Sequence, residues 1–154
     1  MVLAVAVGAI SLMVVAGCGG GGSSSSSGGE ADSGSGGAFA SGAEAACANA
    51  NKQIAALGTP QQDEVLEYME ETESVIEGLH EKVSALDGSG SSEAAYTEAL
   101  GKAVIVLNSM TNAARNENFD AVRELSNGLV EEHLGELAEA AELKTCAEVP
   151  VSAS

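Results

Sequence analysis

Beyond residue 37, apolar residues recur at intervals of three and four, and nowhere do apolar and polar residues alternate strictly. Such spacing lines apolar side chains along one face of an α-helix, whereas a half-buried strand needs alternation. The pattern therefore argues against a sheet and predicts an all-α protein. Hydrophobic residues make up 45% of the chain, but aromatic residues only 3%, and tryptophan is absent, so we expect a thin, aliphatic core.

The apolar stripes predict four helices, over about 42–57, 60–86, 93–115 and 119–143, with a short tail at 149–154. Short turns separate these segments, so we expect an up-and-down four-helix bundle within 38–148. Taken in helix order, the residues expected to face the core are Ala43, Cys47, Ala50, Ile54 and Leu57; Leu66, Met69, Thr72, Ile76, Leu79, Val83 and Leu86; Tyr96, Leu100, Val104, Leu107, Met110 and Ala114; and Val122, Leu125, Leu129, His133, Leu137 and Ala140.

Sequence signals for helix starts precede three of these segments. Ser41 and Glu44 have the spacing of a capping box, in which each side chain accepts the other residue's amide. Thr59 is predicted to cap the second helix, because Pro60 fits the first helical position, where its missing N–H costs nothing. A serine at 91 or 92 is predicted to cap the third helix.

Residues 1–17 are apolar or small, with Ser11 as the one polar side chain. This composition is typical of the apolar region of a secretory signal. An uncleaved spanning helix is the alternative, since seventeen residues lie at the lower limit of what crosses a bilayer. Signals normally begin with a positive charge, which is missing here, so we expect the true start to lie upstream of Met1.

Val15, Ala16 and Gly17 precede Cys18 in a pattern that resembles the lipobox of bacterial lipoproteins. The resemblance implies that the signal is cut before Cys18, that its thiol carries a diacylglyceryl group, and that the new amino group can be acylated. The Gly/Ser-rich stretch 18–37 cannot bury enough apolar surface to order itself and is predicted to be a disordered tether. We therefore expect a lipid-anchored protein on the extracytoplasmic face of the cell membrane.

The chain has three cysteines, an odd number for a secreted protein. If Cys18 carries lipid, Cys47 and Cys146 remain as an even pair in an oxidising compartment, and a disulfide between them would join the two ends of the bundle. The segments 47–57 and 143–146 also resemble small secreted helical proteins and lipoproteins of high-GC Gram-positive bacteria. That resemblance implies the architecture and no particular activity.

The charge balance restricts the partners of the protein. With 23 acidic and 6 basic residues, its net charge is -17. Few cations are available to contact phosphates, so nucleic acid is excluded as an expected partner. No nucleophile elbow, phosphate loop or His-Glu-x-x-His motif occurs. We therefore expect a protein without catalysis or cofactor, attached to the membrane by its lipid and acting structurally or by binding another envelope protein.

One alternative function places a haem or metal ion between the helices. His133 falls on the predicted apolar stripe of the fourth helix, and His80 lies at the edge of the second stripe. Facing helices of a bundle can bind such groups through histidines, with Met69 or Met110 as a second ligand. A single histidine on an apolar stripe is more often a core or boundary residue, so this function is the second choice.

Overall fold

The computed structural model describes residues 36–61, 63–131 and 133–150. Within these ranges the chain forms six α-helices and no strand, which confirms the all-α prediction. In chain order, the helices are α1 (Gly36–Leu57), α2 (Val65–Ser84), α3 (Ser91–Arg115), α4 (Phe119–Glu131), α5 (Leu134–Ala140) and α6 (Lys144–Ala147). The predicted signal, the lipobox and nearly all of the tether lie outside the described residues.

The helices form a bundle with α3 at its centre. Helix α3 packs against α2, α4 and α5, while α1 packs against α2 and α6. Two contacts show that α2 and α3 run antiparallel: Glu70 pairs with Arg115 at 2.9 Å, and Glu73 accepts from Asn108 at 2.7 Å. Helices α4, α5 and α6 together take the place of the fourth helix of the bundle. The predicted up-and-down bundle is therefore confirmed.

The predicted stripes of the first three helices do form the core. The buried members of these stripes are Ala43, Cys47, Ala50, Ile54, Thr72, Ile76, Leu79, Val83, Tyr96, Leu100, Leu107, Met110 and Ala114. Tyr96 is 1% exposed and is among the largest of the fully buried side chains. Because every other predicted position in these three stripes is at least partly covered, spacing alone identified which face of each helix turns inward.

Helix α1 extends further toward the N-terminus than predicted. It includes Gly36, so Ser41 is an exposed residue inside the helix and does not cap it. Phe39 explains the extension: its ring is 2% exposed and lies so close to Gly88 that an added Cβ there would be 2.8 Å away. Burial of this ring favours another helical turn before residue 42, because a large aromatic side chain contributes much apolar surface to the core.

Helix α2 begins at Val65 and not at residue 60. Helix α1 ends at Leu57, and Gly58 follows it with a φ of 73°, a conformation that suits glycine. A separate turn then precedes α2: Gln61 donates its amide to Glu64 Oε2 at 2.9 Å, and the Glu64 amide donates to the Gln61 carbonyl at 3.0 Å. The predicted cap at Thr59 is therefore wrong, because this turn takes the place of the first helical turn.

The predicted cap of α3, a serine at 91 or 92, is also wrong, by one or two residues. Gly90 is the N-cap, and its amide donates to Glu93 Oε2 at 2.9 Å. Ser91 is already the first helical residue. The Glu93 carboxylate, at the third helical position, thus accepts the backbone N–H of the N-cap residue, as in one half of a capping box.

The segment predicted as the fourth helix, over 119–143, is divided into two helices, α4 and α5, and the short helix α6 follows it. His133 and Glu142 have φ values of 49° and 60°, a left-handed conformation that cannot continue an α-helix. The break at His133 also shifts the buried face. Leu134, Ala138 and Leu143 are buried, whereas His133 and Ala140 are exposed. The stripe predicted for an unbroken helix over 119–143 is thus wrong at His133 and Ala140, whereas Leu137 packs against the core as a partly buried side chain.

Candidate functional site

A disulfide bond joins α1 to α6. Cys47 and Cys146 are bonded, with their Cα atoms 5.0 Å apart across a sequence separation of 99. Both are buried, at 0% and 3% exposure. The predicted pairing is confirmed, and it connects the first helix of the bundle to the last.

Backbone contacts around α6 reinforce this link. Glu44 Oε2 accepts the Thr145 amide at 2.9 Å, and Asn51 Nδ2 donates to the Thr145 carbonyl at 3.1 Å. Both polar backbone groups of one residue are therefore held by α1 side chains. We call Glu44, Cys47, Asn51, Thr145 and Cys146 the C-terminal clasp. Glu44, predicted as a capping residue, serves instead to hold the last helix, a role that no local sequence signal indicates.

Tyr96 lies beneath the clasp. Its hydroxyl is 3.6 Å from Cys47 Sγ and acts as the donor, since a disulfide sulfur carries no hydrogen. Burial, followed by the negative charge of Glu44, raises the pKa of this hydroxyl well above its usual range. The phenol therefore stays neutral at physiological pH and serves as a packing and hydrogen-bonding group.

The structure does not form the predicted histidine site. His133 has a side chain that is 63% exposed, and its Nδ1 lies 3.5 Å from Glu136 of the same helix turn. It is outside the core because the helix break turns it outward. His80 is half-buried against α3, where a Cβ added at Gly101 would lie 3.0 Å from its Nε2. The described contacts thus place the two histidines in different surroundings.

The methionines considered as second ligands are packing residues in the structure. Met110 is buried in the core, and Met69 is a partly buried side chain that packs against the core. Within 36–61, 63–131 and 133–150, no group of three or more His, Cys, Asp or Glu side chains could hold a metal ion. The expectation that His133 lies on a buried helix face is wrong.

The lipidation site predicted at Cys18, with Val15, Ala16 and Gly17, lies outside the described residues. Of the helices in the described part of the chain, none combines the length and apolarity that crossing a bilayer requires.

A surface groove that sequence reasoning missed runs across the α1–α2 end of the bundle, with Tyr68 at its centre. One depression, of about 210 Å³, is lined by Leu57, Pro60, Glu64, Glu67, Tyr68 and Glu71. A second, of about 540 Å³, is lined by Asn51, Ile54, Ala55, Gly58, Thr59, Tyr68, Glu148 and Pro150. We call the two together the Tyr68 groove. Its lining comes from three separated segments, which is why no stretch of sequence indicates it.

Comparison of the chain with protein-family models, with curated proteins and with solved structures finds no match.

Proposed function

We propose that this protein is a lipid-anchored helical bundle that acts without catalysis on the extracytoplasmic face of the cell membrane, by binding another envelope protein. The observation that carries the proposal is the Cys47–Cys146 disulfide. Disulfides persist in oxidising compartments outside the cytoplasm, so the bridge supports export of the chain.

The bridge also supports a separate role for the remaining cysteine. The chain has three cysteines, and two are joined to each other, which leaves Cys18 outside the pair. Cys18 follows Val15, Ala16 and Gly17 in the lipobox-like pattern. Acylation of its thiol and of the new amino group would anchor the protein stably, because two acyl chains hold a protein at a membrane far better than one.

Metabolic labelling in a bacterium that processes lipoproteins tests this proposal. The full chain is expressed in the presence of an alkyne analogue of palmitate, and the label is compared between the unaltered chain and Cys18→Ser. We expect label and membrane fractionation in the unaltered chain and loss of both in the variant.

A double variant, Cys47→Ala with Cys146→Ala, is the matched control, because it removes two cysteines and leaves Cys18 in place. It should retain the label. An unlabelled chain would refute the lipid anchor, and a Cys18→Ser chain that remains in the membrane fraction would support the uncleaved spanning helix instead.

A further inference from the structure

We infer that the Tyr68 groove binds a basic, extended peptide segment of a partner protein. The inference rests on the proposed function, whose partner it describes by chemistry. Tyr68 is half-buried and forms part of both depressions, so its ring joins them into one surface. Leu57, which lines the smaller depression, and the exposed Ala55, which lines the larger, provide apolar surface.

The charges around the groove determine the chemistry of its ligand. Glu67 and Glu71 line the smaller depression, and Glu148 lines the larger. Within the described ranges none of these three carboxylates has an ion pair or a side-chain hydrogen bond. Where α2 faces α3, by contrast, Glu70 pairs with Arg115 and Glu73 accepts a hydrogen bond from Asn108. The unpaired negative charges of α2 thus include those facing the groove.

A segment that bears lysine or arginine is complementary to both the acidic and the apolar residues of the groove. Its ammonium or guanidinium groups can pair with Glu67, Glu71 and Glu148, and one can lie over the face of the Tyr68 ring in a cation–π contact. The aliphatic stems of the same side chains can cover Leu57 and Ala55 while the charged heads stay in water. An acidic or phosphorylated segment would be repelled.

Fluorescence anisotropy with a defined probe tests the inference. The probe is a labelled decapeptide of alternating lysine and alanine, and the corresponding glutamate peptide serves as the negative probe. Glu67→Gln with Glu71→Gln removes two charges from the groove, and Glu77→Gln with Glu81→Gln removes two from exposed, unpaired positions of the same helix outside it. Because both variants change the net charge equally, their difference isolates the groove from general attraction.

We expect the lysine peptide to bind the full chain and the glutamate peptide not to bind. The groove variant should weaken binding by about tenfold, and the control variant by less than about twofold, since each exposed ion pair contributes only a few-fold. Tyr68→Leu retains apolar surface and should weaken binding by about threefold, through loss of the ring face. Circular dichroism of each variant checks that the bundle is folded.

Several results would overturn the inference. Equal weakening by the two charge variants would mean that only the overall negative charge attracts the peptide. Binding that occurs only after removal of residues 151–154 would assign the groove to the chain's own tail. Self-association lost in the groove variant would assign it to a second copy. Failure of acyl labelling at Cys18 would leave the binding result unaffected, so the two proposals fail independently.

Discussion

Removal of the Cys47–Cys146 bridge is expected to destabilise this fold strongly. The bridge closes a loop with a sequence separation of 99. In the chain-entropy model, closing a loop of about 100 residues stabilises the folded state by about 4.7 kcal/mol, because it restricts the unfolded chain. Measured gains are generally smaller than this limit, so we expect a loss of about 3–4 kcal/mol for Cys47→Ala with Cys146→Ala.

This loss is large compared with the stability of a small domain, which is about 5–15 kcal/mol in total. The core has few aromatic residues to offset it, since only 3% of the chain is aromatic. Urea unfolding followed by circular dichroism measures the change. With a slope of about 2 kcal/mol per molar urea, the midpoint should fall by roughly 2 M.

Two controls separate the bridge from other effects of the substitutions. Cys18→Ser removes a cysteine outside the loop and should leave the midpoint unchanged. Reduction of the unaltered chain should lower the midpoint about as much as the double substitution does, because both open the same loop. A loss below about 1 kcal/mol in the double variant would refute the loop-closure argument and show that the helices alone provide nearly all the stability.

Four further substitutions test the packing and the pKa shift. Thr72→Val should raise the free energy of unfolding by about 1 kcal/mol, because the buried Thr72 Oγ1 has no hydrogen-bond partner; a loss in urea titration would contradict this. Phe39→Ala should cost about 3–5 kcal/mol, whereas Ser41→Ala should cost far less than the ~1 kcal/mol of a lost helix cap, both by urea titration. The raised pKa of Tyr96 means that folding favours the neutral phenol. The contribution of this shift to the free energy of unfolding is fully present below pH about 10 and is lost as pH rises through the folded-state pKa. Tyr96→Phe should abolish this part of the alkaline destabilisation.

The fold was predictable from sequence wherever a helix continued without interruption. In α3, Tyr96, Leu100 and Leu107 are buried as their spacings of four and seven residues predict. The prediction failed where chain conformation depends on tertiary contacts. No residue type near His133 requires a left-handed backbone, so the break after α4 and the shifted burial of Leu134 could not be inferred from periodicity.

The functional surfaces were predictable to a lesser degree. Pairing of Cys47 with Cys146 followed from counting cysteines, because only a few are present and one has a separate assignment. Glu44 is different: its partner Thr145 is 101 residues away, and the local spacing pointed instead to Ser41. The Tyr68 groove likewise combines segments distant in sequence, so only the folded arrangement reveals it.

The bridge between α1 and α6 also makes the bundle a covalent ring. Every connection between α1 and α5 lies inside that ring, including the turn after α3, where the exposed Glu117 has a φ of 56°. A protease that cuts this turn opens the ring but releases nothing, since both fragments remain joined through sulfur. A nicked molecule would keep its C-terminal half on the same N-terminal segment, and separation would require a reductant as well as a cut.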